Sequence, residues 1–287
     1  MVWKLQILYL PLLSKVSPSF HQSIQWPHFI RAFPDLKKIT VRMDRSYDER
    51  VTRIRSNSIR VSNLREMSLQ GCNIEHLTPI IMGTNLQYLT LSDVSSQLQL
   101  KVIASYCPSL QTLQVIRSSL ILQEVEAFDI SFPHLKKVYF FSVNCQSSPL
   151  LNILSVAPQL EDVQANVPTD LTDDAVIKML NNSRLLQLKR LVFTACLCPN
   201  RHENNQSQSC LTVSSVLQLF DDCPTLQCLG DLRIWRLSSE DHVQVSYKLK
   251  MLSEKHKLNF KEWWWQEFIF YNKTSLSPKR TNSSEKE

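Results

Sequence analysis

Glycine is almost missing from this 287-residue chain: Gly71, Gly83 and Gly230 are the only three. Spaced so far apart, they cannot form the clustered turn that lets a backbone approach a nucleotide's phosphates. That excludes a phosphate loop and a dinucleotide-binding turn. No apolar run approaches the roughly 18 residues that a membrane-spanning helix needs, so no membrane association is expected. No hydrolase elbow or metal pair accompanies the seven histidines, so the chain reads as a non-enzyme with no catalytic residues, no cofactor and no resident metal. Charge of one sign is not dominant either. The excess of Lys and Arg over Asp and Glu, 32 against 26, is spread along the chain and indicates no dedicated nucleic-acid footprint. Eight cysteines sit at spacings that make no tight disulfide framework. They point to reduced, buried thiols in a cytoplasmic or nuclear setting. The opening Met1 to Leu13 segment has one lysine before an apolar stretch, but Gln6, Pro11 and the lack of a small-residue cleavage pair argue against a secretory signal.

What the chain does have is a recurring pattern. It reads leucine, two variable residues, an aliphatic, one variable residue, an aliphatic, as in Leu64-Met67-Leu69 and Leu86-Leu89-Leu91. The same register returns at Leu110-Leu113-Val115, Leu135-Val138-Phe140, Leu160-Val163-Ala165 and Leu188-Leu191-Phe193. Leu36-Ile39-Val41 precedes these, Leu5-Leu8-Leu10 opens the series, and Leu226-Leu229 closes it with Asp231 at the third anchor. Steps from one first anchor to the next are 31, 28, 22, 24, 25, 25, 28 and 38 residues, mostly within the 20 to 29 of leucine-rich repeats.

A short strand puts alternate side chains on opposite faces, so the second and third anchors should point inward and their neighbours outward. The return segments carry helical spacing: Ile74, Leu77 and Ile81; Leu150, Leu151 and Leu154; Leu171, Ala175, Val176, Met179 and Leu180; Val213, Val216, Leu217 and Phe220. Thr172 followed by Asp173 and Asp174 supplies a helix cap and an acidic first turn. The expected fold is α/β, a leucine-rich-repeat solenoid or horseshoe with a parallel sheet on the concave face and helices on the convex face. Residues 1–270 read as this one domain, with a C-terminal cap over about 236–270 and a disordered polar tail over 271–287. The cap begins at Ser238 and Asp241 and continues through Val243, Tyr247 and Met251 at four-residue spacing.

Leu64 to Ile74, with Cys72, resembles the cysteine-containing leucine-rich repeats of F-box proteins. Leu188, Leu191, Phe193, Cys196 and Cys198 follow the same layout, as do the Cys-Pro-x-Leu entries at Cys107 and Cys223. Phe33, Phe132 and Ala157 head variants of that entry. The resemblance implies a substrate receptor of a cullin-RING (SCF-type) ubiquitin ligase that holds a protein substrate on the concave face. A Leu-Pro-x-Glu F-box start does not precede the repeats, so a Skp-type adaptor and a cullin are expected partners only if an F-box lies upstream. A repeat strand beginning so near Met1, without a polar cap, points to a truncated chain. The alternatives are a free-standing repeat scaffold with no ligase connection and a secreted recognition ectodomain. Glycan on Asn181 or Asn205 would support the last.

Several segments fall outside the pattern. The arginines between Arg42 and Arg60 alternate with Asp44, Asp48 and Glu49, which suits a solvated helix face better than a nucleic-acid site. Cys196, just before the 197–210 insertion, and Cys198, His202 and Cys210 within it are chemically able to hold zinc, but their spacing matches no paired arrangement, so a polar surface loop is expected. Trp263, Trp264 and Trp265 are expected to cover the open end of the solenoid, the alternative being a partner-binding strand.

The register also predicts the binding site, because the variable residues between anchors line the open side of the sheet. Aromatic and arginine side chains carry most interface hot spots. Tyr88, Tyr139 and Phe141 are therefore the expected partner-binding anchors, with Arg65 and Lys137 as a charged rim. The competing expectation is that the aromatic residues only pair with one another across strands.

Overall fold

The computed structural model describes residues 7–10, 36–42, 63–71, 85–94, 98–121, 131–141, 143–145, 147–166, 170–182, 185–194, 211–230, 235 and 237–256. Cys196 and the 197–210 insertion with its Cys198, His202 and Cys210 lie outside these residues. So do Cys72, the Ile74 to Ile81 return segment, the arginines from Arg45 to Arg60, the Trp263 to Trp265 run and the 271–287 tail.

Alternation of apolar and polar side chains produces the strands. They are β1 (Ile7–Leu10), β2 (Lys38–Arg42), β3 (Glu66–Gln70), β4 (Tyr88–Ser92), β5 (Leu98–Gln99), β6 (Thr112–Ile116), β7 (Ser119–Ile121), β8 (Lys137–Phe141), β9 (Asn144–Cys145), β10 (Asp162–Asn166), β11 (Arg190–Thr194) and β12 (Cys228–Gly230). Nine of them form an open parallel sheet in the order β1-β2-β3-β4-β6-β8-β10-β11-β12, which is chain order. The second anchors align across the whole sheet, Leu8 beside Ile39, then Met67, Leu89, Leu113, Val138, Val163, Leu191 and Leu229. The register read from the sequence is thus the register of pairing. The last strand is described as far as Gly230, and Asp231, the imperfect third anchor, lies outside the described residues.

One hydrogen-bond motif starts seven strands of the nine-stranded sheet. The carbonyls of Lys37, Arg65, Gln87, Gln111, Lys136, Glu161 and Lys189 each accept from two successive amides of the following strand. Arg65 and Glu66 donate to Lys37 O at 2.9 and 3.0 Å, and Gln227 and Cys228 to Lys189 O at 2.7 and 3.0 Å. The strand starts are therefore fixed at the inter-strand spacing of about 4.8 Å.

Inward residues from β2 to β6, from β8, β10 and β11, and from the helices join one core. Leu69, Leu91, Val115, Phe140, Ala165 and Phe193 occupy one row across it, with Ala165 fitting between two phenylalanines as close packing requires. A second, three-stranded parallel sheet, β5-β7-β9, lies on the return path after β4, β6 and β8. These two- and three-residue pieces carry too little periodicity for the sequence to reveal them.

The described helices are α1 (Leu100–Tyr106), α2 (Ser147–Val156), α3 (Asp173–Asn182), α4 (Val213–Asp222) and α5 (Ser239–His256). The expected apolar stripes bury Leu150 and Leu154 of α2, Val176, Met179 and Leu180 of α3, and Val216 and Phe220 of α4. α2 packs on α3, α3 on α4, and α4 on α5. Thr172 caps α3 by accepting from the Ala175 amide at 3.3 Å. Asp173 does more than sit in that helix's first turn. It accepts from the Thr212 amide at 2.8 Å and from the Thr212 and Ser215 hydroxyls, clamping the start of α4. Asp170 similarly holds the Ser147 amide at 2.8 Å and its hydroxyl at 3.0 Å at the start of α2. Each clamp satisfies helix-end donors from a neighbouring unit, the following one for Asp173 and the preceding one for Asp170.

Five turns lead into strands by the same device. The carbonyls of Cys107, Phe132, Ala157, Leu185 and Cys223 accept from the leucine amide three residues on, at 3.0 to 3.3 Å. Proline occupies the second turn position in four of them, where its fixed φ suits the turn. Leu186 takes that place in the fifth and is half exposed. The first turn residue is always buried, which explains its being Cys, Phe, Ala or Leu.

The C-terminal helix differs from expectation in which side faces inward. Ser238 and Asp241 form the reciprocal cap, at 2.8 and 3.1 Å, which holds the Asp241 carboxyl below the usual carboxylate range. Yet Val243, Tyr247 and Met251 are 71, 65 and 49 % exposed, while Val245 is buried at 1 %. Val245 and Lys248 share the opposite side, and Lys248 reaches Asp221 of α4 at 2.6 Å. That pair of contacts turns the four-residue stripe outward.

Two measurements check this packing. Leu113 is fully buried, and Leu113→Ala should lower unfolding free energy in a urea titration by about 2 to 5 kcal/mol. The thiols of Cys107 and Cys223 are pushed up to about 12, chiefly by burial. The native state keeps their protons while the unfolded chain releases them near the ordinary value of 9.0, so their contribution to stability declines as pH rises above about 9. Alkylation mapped by mass spectrometry at pH 8 should leave both unmodified in native protein and modify both in denaturant.

Candidate protein-binding face

Opposite the helices, the outward residues of β2 to β12 form a face that no described element covers. Its rows follow from the register: Lys38, Glu66, Tyr88, Thr112, Lys137, Asp162 and Arg190 stand side by side at the strand starts. Of the five residues singled out from the sequence, Tyr88, Lys137, Tyr139 and Phe141 lie at outward positions of their strands, and Arg65 is exposed just before β3. Tyr88 is the most exposed of the aromatics at 44 %, and it projects from β4 next to the strand that Arg65 precedes. Lys137, Tyr139 and Phe141 share β8, separated from β4 only by β6. That places Tyr88 about 10 Å from the β8 group.

Tyr139 and Phe141 are two residues apart on one strand face, and their rings stack with centroids 6.2 Å apart and an interplanar angle of 9°. The Tyr139 hydroxyl also donates to Asp162 Oδ2 at 2.9 Å. The pair is thus held in place along a strand rather than across strands. Ile116 lies directly beside Phe141 and is half-buried, extending this apolar spot. Sequence reasoning passed over Ile116, although its place one residue beyond the third anchor, Val115, marks it as outward-facing.

Charges on the face are partly matched. Lys38 meets Glu66 at 2.9 Å and Lys189 meets Glu161 at 2.8 Å. Arg190 stands 4.0 Å from Asp162. The Glu161 carboxyl is held below the usual range by its hydrogen bond from Lys189, with Lys136 and Lys137 adding to the effect. Among the described residues, no acidic side chain lies within ion-pair distance of Lys37, Arg65, Lys136 or Lys137. No three His, Cys, Asp or Glu side chains among the described residues are grouped to hold a metal ion. No described helix is long and apolar enough to cross a membrane.

A polar network at the other end of the strands was not foreseen. Gly71, Asp93 and Arg117 follow β3, β4 and β6, and all three have positive φ, at 73°, 53° and 47°. Their amides donate to the carbonyls of Ser92, Ile116 and Phe141 at 2.9, 3.0 and 2.9 Å, which extends the sheet bonding by one residue. Arg117 binds Asp93 through two nitrogens at 2.8 and 2.7 Å, and Gln70 adds a third bond to Asp93 at 2.9 Å. The Asp93 side chain is only 7 % exposed against 53 % for Arg117. Gly71 gave the one local hint, since only glycine adopts this conformation without cost.

Removing the guanidinium leaves a buried carboxylate with fewer donors, so Arg117→Ala should cost about 1 to 3 kcal/mol. Arg117→Gly loses the same pair but relieves the left-handed strain that a β-carbon brings, which is on the order of 1 kcal/mol. Paired urea titrations should therefore find the glycine variant the more stable of the two. Two variants indistinguishable from wild type would show that the pair adds nothing.

No family model matches the chain, and no curated protein does. Among solved structures it is similar to a Bacteroides fragilis protein from a structural-genomics programme, at 14 % identity over 65 % of this chain and with a TM-score of 0.35. The chain spans 64 % of the length of that structure.

Proposed function

We propose that the chain is a leucine-rich-repeat solenoid whose concave sheet face binds a partner protein through Tyr88, Tyr139 and Phe141, with Arg65 and Lys137 at the rim. The observation that carries this reading is a sheet of nine parallel strands in chain order with one face that no described element covers, on or beside which those five residues stand within three inter-strand steps. The repeated entry turns and doubly accepting carbonyls support it, because each unit of 22 to 38 residues leans only on its neighbours, as in stacked repeats. A rigid, stacked aromatic pair beside an exposed tyrosine suits a protein interface, where such side chains lose little entropy on binding.

On the resemblance to F-box repeat proteins, the role is to present a protein substrate to a cullin-RING ubiquitin ligase, without any residue of this chain reacting. The buried thiols of Cys107 and Cys223 suit a reducing, cytoplasmic or nuclear setting. A repeat scaffold that works without a ligase is the second reading, since it needs only the same face.

Affinity purification from native cells, followed by mass spectrometry, separates these readings. The comparison is between wild type and the Tyr88→Ala, Tyr139→Ala, Phe141→Ala triple variant. The expected outcome is a Skp-type adaptor and cullin with both forms, and a further protein lost with the variant. Recovery of that further protein without ligase components would place the scaffold reading first. Unchanged partners with an unchanged melting temperature would remove these residues from the site.

A further inference from the structure

The charges on the open face are segregated. At the strand starts from β2 to β8, Lys37, Lys38, Arg65, Lys136 and Lys137 face a single acid, Glu66, which Lys38 already holds at 2.9 Å. The basic groups sit at the two ends of that run, and between them Gln87, Tyr88, Gln111 and Thr112 carry no charge. Past β8 the pattern changes, because Glu161 and Asp162 are each faced by a basic residue of the next strand. Cations left without a counter-charge on a fixed scaffold repel one another and attract an oppositely charged ligand.

We propose that this strip takes an extended acidic segment of the partner protein, with carboxylates at both ends and an apolar or aromatic middle over Tyr88. The proposal rests on the protein-binding reading above and specifies the partner's chemistry. The spacing follows from the sheet. From β3 to β8 there are three inter-strand steps and from β2 to β8 four, or about 14 and 19 Å. An extended chain covers that distance in roughly four to six residues. The two acidic ends should therefore be separated by that many positions. Glu161 is an internal example of the attraction, since Lys136 and Lys137 help to keep its carboxyl ionised from the neighbouring strand. A nucleic-acid backbone fits less well, because its evenly spaced phosphates would cross the neutral β4 and β6 and meet the acids of β10.

The test uses the full-length protein and fluorescence anisotropy with three probes. The first is the labelled peptide Glu-Asp-Leu-Tyr-Leu-Asp-Glu. The second has the same composition with all four acids at one end, and the third is a twelve-nucleotide oligouridylate. The first probe should bind, the second at least threefold more weakly, and binding should fall about tenfold or more between 50 and 300 mM salt. Arg65→Glu with Lys137→Glu should abolish binding while far-ultraviolet circular dichroism and melting temperature stay unchanged. Lys178→Glu, on the exposed side of α3, should have no effect and controls for net charge. Failure of the first probe to bind at 1 mM, equal binding of the two peptides, or tighter binding of the oligonucleotide would each overturn the proposal. So would partner capture from cells that survives the double charge reversal but is lost in the aromatic triple variant; that result would leave the protein-binding reading standing.

Discussion

The carbonyl just before each strand carries the fold. In seven successive junctions it accepts two amides from the next strand, and the donors come from segments 22 to 38 residues further along. A parallel strand cannot satisfy its own backbone or close a tight hairpin, so its polar groups must wait for the next turn of the chain. Once one junction is made, the following strand has only one place to begin. The pitch of the sheet, the alignment of anchors and the spacing of surface side chains all descend from that repeated bond.

The rest of the structure makes the junction repeatable. Each return must deliver the next strand to the same height, and the entry turns do this with a buried first residue and, in four of the five described, a proline. The carboxylates of Asp170 and Asp173 align helix starts across neighbouring units, so the helices advance at the pace of the strands. Where the sheet carries a large side chain next to another, the strand between them compensates, as Ala165 does between Phe140 and Phe193. No single unit buries enough apolar surface to offset the entropy of ordering it, so stability belongs to the stack.

The same geometry leaves the outward side chains free to vary. Pairing of the described strands runs through the backbone, so outward side chains can differ from strand to strand with little effect on the fold. The face accordingly holds exposed Tyr88, a stacked Tyr139 and Phe141, and charges that are matched over β10 and β11 but, apart from Lys38 with Glu66, not from β2 to β8. A fixed lattice of about 4.8 Å steps converts that arrangement into a spacing requirement on whatever binds.

The sequence by itself determined the strands of the nine-stranded sheet, their register and which of their side chains point outward, because two-residue alternation between fixed anchors leaves no second way to bury the apolar set. It placed Leu113 in the core and Tyr88, Tyr139, Phe141, Arg65 and Lys137 on one face. Only the tertiary structure decided what depends on neighbours brought from another unit. The clamp of Asp173 on Thr212, the bidentate Asp93 and Arg117 pair, and the stacking of Tyr139 on Phe141 while its hydroxyl meets Asp162 belong to this group. The short β5-β7-β9 sheet does too, as does the outward turn of Val243, Tyr247 and Met251. In α5, four-residue spacing announced a stripe but not which stripe would face inward. That choice fell to Val245 and to the Lys248 contact with Asp221, which exist only once α4 is in place.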